Sequence, residues 1–191
     1  MQLEREFSER RDGQKLPRSC IWEKYRRGEI VPRSGKRPDG SPNLLERVEV
    51  RYPGTTEWLY SPLWRLADKA PMAMSEIKEI YRGLPKLLKS VFIAPPEQAT
   101  GIFWRRDFDV EHACEILLRY AQVDGFVALL ALVKEAEITQ DQWQHEYCVF
   151  SAASQIVRLT SHPIVGEIFS QKLGKYLAAR WNSPGYFDTE M

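Results

Sequence analysis

The segment 124–137 constrains the fold of this chain more than any other, because it is apolar nearly all round. Phe126, Val127 and Leu132 point to three different sides of a helix drawn through it. A helix that is apolar on every side needs other elements to cover it, so the segment predicts a central buried helix. The longest apolar run, Phe126–Val133, is shorter than the roughly 18–20 residues of a membrane span, which predicts that the chain does not cross a membrane.

Helix start and stop signals recur along the rest of the chain, whereas alternation of polar and apolar residues never persists. The residues predicted to cap helices at their N-termini are Ser19, Ser41, Ser75, Asp109 and Thr139, the last with Gln142 completing a capping box. The predicted fold class is therefore all-α, with a small N-terminal helix–loop–helix module and a C-terminal helical bundle.

A turn at Pro71 separates a basic, Trp-rich N-terminal third from the helical remainder. This predicts two domains, a helix-turn-helix-like module with a Trp-rich connector at 1–70 and the helical bundle at 71–191. Basic residues hardly interleave the aromatic residues of the connector, which favours packing over base stacking. The connector residues predicted to lie in the core are Trp58, Leu59, Leu63, Trp64 and Leu66.

The net charge of +1 conceals a strong asymmetry. Residues 10–37 contain ten basic and three acidic residues, a net charge of +7, whereas 107–146 contains nine acidic residues against Arg119 and Lys134. A basic stretch beside an acidic body is typical of a surface that binds nucleic acid or another anionic partner. The alternative is that the basic stretch docks onto the acidic half of the same protein.

The segment 19–32 reads S-C-I-W-E-K-Y-R-R-G-E-I-V-P, and a second amphipathic stretch with Leu44, Leu45 and Val48 follows it. In this segment Trp22 stands three residues before Tyr25, and Gly28 and Pro32 follow. This spacing resembles the end of the recognition helix in Cro/repressor-type helix-turn-helix domains. The resemblance covers residues 19–50. No segment between Gly13 and Ser19 is long enough for the family's preceding helix, so the implied module is a degenerate one.

The resemblance implies which residues approach DNA. Ser19 and Cys20 would face the groove and touch base edges, and the neighbouring cations would contact phosphates. Those cations are Lys24, Arg26, Arg27, Arg33, Lys36 and Arg37.

Motifs for catalysis or metal binding are sparse. The sequence lacks the phosphate-binding glycine loop, G-x-S-x-G, H-E-x-x-H and C-x-x-C. The pairs His112–Cys114 and His145–Cys148 offer four candidate zinc ligands, but residues two apart on a helix point about 200° apart, so we predict no metal site. The carboxylate–imidazole neighbours Glu111/His112/Glu115 and Asp141/His145 lack a nearby nucleophile, so we predict no enzyme activity and no cofactor.

We therefore predict a DNA-binding or DNA-associated regulatory protein. The alternative is a non-enzymatic protein-interaction subunit, for example of a bacterial defence or mobile-element system, whose basic surface holds an acidic protein partner. Three scattered cysteines favour a reducing compartment, and the charged N-terminal residues lack the apolar segment of a secretory signal. We therefore predict a bacterial cytoplasmic protein. Self-association through the helical bundle is the further partner prediction.

Overall fold

A computed structural model describes residue 24 and residues 35–103, 106–107, 109–120, 122–159 and 166–181, with the backbone alone at 98–99 and 166–170. Ten helices lie in these ranges, and no β-strand does, which confirms the all-α prediction. They are α1 (Leu44–Arg51), α2 (Thr55–Leu59), α3 (Leu63–Ala67), α4 (Met74–Gly83), α5 (Lys86–Phe92), α6 (Glu97–Thr100), α7 (Val110–Arg119), α8 (Val123–Thr139), α9 (Gln142–Leu159) and α10 (Gly166–Trp181).

The predicted central helix is α8, and every residue from Gly125 to Lys134 is buried. It packs most extensively on α9, and α3, α4, α5 and α7 contact it as well. Because these neighbours surround α8, its apolar residues are covered on every side, as its composition requires. The helical bundle of the C-terminal unit is therefore organised around α8.

A tight connection makes α8 and α9 an antiparallel pair. Gln140 has a φ of 57°, the left-handed conformation that ends a helix, and the N–H of Asp141 donates to the carbonyl of Ala136 at 3.1 Å. Asp141 then caps α9 by accepting a hydrogen bond from the N–H of Gln144 at 2.9 Å. The prediction of Thr139 as this N-cap is wrong, because Thr139 is the last residue of α8 and its hydroxyl donates to the carbonyl of Glu135.

Two further N-cap predictions are wrong and one is confirmed. Asn43 caps α1 in place of Ser41, and the N-cap residue of α4 is Ala73, so that Ser75 lies within the helix. Asp109 caps α7 as predicted and accepts from the N–H of Glu111 at 2.9 Å. Each misplaced cap lies two residues from the true one. At α1 and α9 another short polar side chain caps the helix, whereas α4 begins after Ala73 with no side-chain cap hydrogen bond.

The chain divides into two compact units, Met1–Ser61 and Pro62–Met191. In the first, α1 contacts α2, with Leu45 and Trp58 buried. The sequence placed the domain boundary at 70/71. In the structure, α3 belongs to the second unit, where Leu63 and Leu66 are completely buried and the helix contacts α8.

Candidate functional site

The loop at 35–43 is the described part of the predicted nucleic-acid surface, and hydrogen bonds give it a defined shape. The Asp39 carboxylate accepts from the N–H of Ser41 at 2.9 Å and from its hydroxyl at 2.6 Å. The N–H of Arg37 donates to the carbonyl of Ser41 at 3.0 Å, and that of Gly40 donates to the carbonyl of Arg37 at 2.9 Å. The hydrogen bond from the Ser41 hydroxyl lowers the pKa of Asp39, which keeps this carboxylate ionised.

Asn43 ties both ends of the loop to α1. Its side-chain amide donates to the carbonyl of Gly35, and its side-chain oxygen accepts from the N–H of Glu46 at 2.9 Å. The Glu46 carboxylate accepts in return from the N–H of Asn43 at 3.1 Å, which completes a capping box. The loop is thereby anchored to a helix although most of its residues are exposed.

The structure describes three of the eight predicted nucleic-acid-binding residues. Lys24 is helical and exposed, Lys36 is exposed on the loop, and Arg37 is half-buried. The predicted residues outside the described ranges are Ser19, Cys20, Arg26, Arg27 and Arg33, and so are Trp22, Tyr25, Gly28 and Pro32.

Two further arginines, which the sequence analysis did not single out, follow the loop on α1. Arg47 and Arg51 lie one turn apart, and the guanidinium of Arg51 lies 5.7 Å from the ring centre of Tyr52. The intervening Glu49 serves a local purpose, since it accepts from the N–H groups of Gly54 at 2.6 Å and Thr56 at 2.7 Å. Charge counting missed these arginines because the carboxylates of α1 offset them in the sequence.

The densest charge cluster in the described second unit is centred on Glu137 at the end of α8. Its carboxylate lies 3.2 Å from the ammonium of Lys134, 3.1 and 3.2 Å from the guanidinium of Arg180, and 3.0 Å from the indole N–H of Trp181. His145 Nε2 lies 3.9 Å away and its ring meets that of Trp181 edge-on. The predicted pairing of His145 with Asp141 is thus replaced by a contact with Glu137.

The electrostatics of this cluster follow from burial and compensation. Burial raises the pKa of Glu137, but the nearby His145 imidazole, the hydrogen bond from Trp181 and the charges of Lys134 and Arg180 outweigh it and lower the pKa to about 2. Burial lowers the pKa of Lys134, and Glu137 partly restores it. The Lys134 ammonium, 2% exposed, also donates to the carbonyl of Asp68 at 2.9 Å. The cluster therefore joins α8, α9, α10 and the segment after α3 as a structural hub.

The four candidate zinc ligands do not converge. Cys114 on α7 and Cys148 on α9 are buried with their sulfurs 3.8 Å apart, whereas His112 is exposed and His145 lies beside Glu137. Across the ranges that the structure describes, no group of three or more metal-ligating side chains comes together. The two cysteines are therefore paired with each other. Sequence spacing had grouped each cysteine with a nearby histidine instead.

The predicted core of the connector is partly wrong. Trp58, Leu63 and Leu66 are buried, but Trp64 is 42% exposed. Trp64 and Ala67 of α3 line an open apolar groove of about 310 Å³ together with Leu173 and Tyr176 of α10. Trp64 points away from α8 because Leu63 and Leu66 occupy the inward side of a helix of only five residues.

An aromatic strip on α9, formed by Trp143, Tyr147 and Phe150, was missed by the sequence analysis. Trp143 is 54% and Phe150 53% exposed, and the rings of Trp143 and Tyr147 stack with centres 5.7 Å apart. Burial raises the pKa of Tyr147, and negative charges on α7, including those of the exposed Glu111 and Glu115, raise it further. Helix α7, which contacts α9, therefore presents carboxylates on the side of Tyr147. The three aromatic residues of the strip are four and then three residues apart, which is the sequence signal that could have placed them on one side of the helix.

Within the described chain, no helix is both long and apolar enough to cross a membrane. Comparison of the chain with models of protein families, with curated proteins and with solved structures finds no match.

Proposed function

We propose that this protein is a DNA-associated protein that binds the phosphate backbone through its basic N-terminal region. The observation that carries the proposal is the net charge of +7 over residues 10–37. Among the basic residues of this segment that the structure describes, Lys24 and Lys36 are exposed. Phosphate contacts supply most of the sequence-independent affinity of such proteins. The resemblance of residues 19–50 to a helix-turn-helix module motivates base contacts by Ser19 and Cys20.

The shape of the loop at 35–43 supports this role. Its internal hydrogen bonds and the Asn43 cap hold Lys36 and Arg37 ahead of α1, the helix that carries Arg47 and Arg51. Cations that are positioned before binding lose less conformational freedom when they meet a phosphate. The Asp39 and Glu49 carboxylates are engaged in local hydrogen bonds rather than spread along the surface.

The test is binding of the full chain to a mixed-sequence DNA duplex, measured by fluorescence anisotropy from roughly 50 to 300 mM salt. The test variant replaces Arg26, Arg27, Arg33, Lys36 and Arg37 with alanine. The matched control replaces Lys69, Lys86, Arg119, Lys172 and Lys175, which are exposed residues of the second unit. We expect the slope of log K against log salt to fall by about 4 in the test variant and to change little in the control.

Equal loss of affinity in both variants would contradict a localised site, and absence of binding at low salt would contradict the proposal itself. An acidic protein that binds wild type but not the test variant, with no DNA binding, would favour the alternative of an interaction subunit.

The aromatic strip supports a second candidate function, protein–protein interaction. Exposed aromatic rings supply large contact area, and carboxylates beside them complement a basic surface. We propose that this strip binds an apolar, basic helix of a partner protein. Two copies of this strip facing each other would bring the Glu111 and Glu115 carboxylates together, which disfavours self-association here.

The probes for this test are two synthetic amphipathic helices of equal length, one built from leucine and lysine and the other from leucine and glutamate. We expect the lysine peptide alone to bind, and binding to be lost in the Trp143→Ala/Phe150→Ala variant but kept in Tyr176→Ala. Equal binding of both peptides would contradict charge complementarity. A dimer in sedimentation velocity that the double variant disrupts would show that a second copy covers the strip.

A further inference from the structure

Two cysteines that are distant in the sequence meet in the core of the second unit. Cys114 on α7 and Cys148 on α9 are each 0% exposed, and their sulfur atoms lie 3.8 Å apart. This is van der Waals contact between two thiols. Closing the gap to a disulfide length of about 2.05 Å requires the sulfurs to approach by roughly 1.8 Å.

The surroundings distinguish the two thiols chemically. Ser151, one turn after Cys148 on α9, is buried, and its hydroxyl helps to lower the pKa of the Cys114 thiol. The contact with Cys148 lowers the pKa of Cys114 and raises that of Cys148, because one thiol donates to the other. Cys114 therefore loses its proton first and is the nucleophile of the pair.

We propose that Cys114 and Cys148 form a redox-active dithiol that peroxide oxidises to an intramolecular disulfide between α7 and α9. The proposal is independent of DNA binding and rests on the 3.8 Å contact between the two sulfur atoms and on the complete burial of both cysteines between α7 and α9.

The reaction balances in two steps. The Cys114 thiolate attacks one oxygen of hydrogen peroxide; an S–O bond forms, the O–O bond breaks, and the departing hydroxide takes up a proton as water. The Cys148 thiol then loses its proton and attacks the sulfur of the sulfenic acid; the S–S bond forms, the S–O bond breaks, and a second water leaves. Two thiols are oxidised and one peroxide is reduced to two waters.

Burial sets the rate and the consequence of this reaction. Peroxide reaches Cys114 only when α7 and α9 separate locally, so oxidation is slower than that of a free thiol. Once formed, the bond closes a loop of 33 intervening residues and restricts the unfolded chain. The bond holds α7 against α9, and we expect it to raise Tm by roughly 5–10 °C.

The test uses the full chain with Cys20→Ser, so that only the two buried thiols remain. After peroxide treatment without denaturant we expect both thiols to disappear, the mass to fall by about 2 Da, and one peptide pair to link Cys114 with Cys148. Dithiothreitol should reverse all three changes. Peptide mapping of the wild-type chain gives the same information should the Cys20→Ser variant fail to fold.

Single replacements assign the roles. With Cys148→Ser added, we expect Cys114 to stop at a sulfenic acid that dimedone traps, whereas with Cys114→Ser added, Cys148 should resist oxidation. Ser151→Ala should slow disulfide formation several-fold without preventing it. Circular dichroism of each variant establishes that the helices are retained.

Three results would overturn the proposal. The first is that both thiols remain titratable after glutathione in the same solution is fully oxidised. The second is that the disulfide forms only in denaturant, and the third is that the protein carries one zinc or copper ion that is lost with Cys114→Ser. The last result would assign the pair to metal binding.

Discussion

Replacing Glu137 with glutamine tests whether the charge cluster stabilises the bundle. The substitution keeps the size of the side chain but leaves Lys134 in the core without its counter-charge, with its ammonium 2% exposed. The pKa of Glu137 falls from 4.5 to about 2 in the folded protein, which corresponds to at most about 3.4 kcal/mol. Because the Glu137 side chain is 29% exposed, solvent screening reduces this, and we expect a loss of about 2–3 kcal/mol.

The pH dependence follows from the direction of that pKa change. A carboxyl group whose folded pKa is lowered contributes its full stability above the unfolded pKa near 4.5 and loses it as the pH falls towards about 2. The groups that face Glu137 are Lys134, His145, Arg180 and Trp181. The difference between wild type and Glu137→Gln should therefore be complete at neutral pH and shrink through this acidic range.

Urea unfolding followed by circular dichroism at neutral and acidic pH measures these differences. Glu115→Gln is the matched control, because its ion pair with Arg119 is 4.0 Å long and both side chains are more than half exposed; we expect a change below about 0.5 kcal/mol. The double variant Lys134→Met/Glu137→Gln should recover at least about 1 kcal/mol relative to Glu137→Gln. A Glu137→Gln protein within about 0.5 kcal/mol of wild type at neutral pH would refute the reasoning.

Three further substitutions test the packing by the same unfolding measurements. Gly125→Ala places a Cβ 2.3 Å from the backbone carbonyl oxygen of Tyr120. We expect it to destabilise the protein by more than about 2 kcal/mol, although alanine usually favours a helix. Unchanged or increased stability would contradict this close approach. Tyr81→Phe removes a 2.5 Å hydrogen bond from a buried hydroxyl to Glu135 and should cost about 1–2 kcal/mol, with a neutral result indicating that the bond contributes nothing. Asn43→Ala should destabilise the first unit by about 1 kcal/mol, and Asn43→Asp should retain the cap.

Local patterns in the sequence were sufficient for most of the helices. The nearly all-round hydrophobicity of α8 and the Asp109 cap act within a few residues, and each gave the correct element. Helix ends were less certain because neighbouring polar residues compete, as Ser41 and Asn43 do. The exposed side of α9 was also encoded locally, by the 4–3 spacing of Trp143, Tyr147 and Phe150.

Residue types and helical periodicity specify that this chain forms helices around one apolar segment and that its positive charge is concentrated near the N-terminus. The contact of Glu137 with Arg180, and that of Cys114 with Cys148, 34 residues away, arise from tertiary packing. Packing also leaves Trp64 facing outward. Residue type and helical spacing say which side a residue occupies, whereas the partner on that side depends on how whole helices pack, and packing sums many weak contacts from distant parts of the chain.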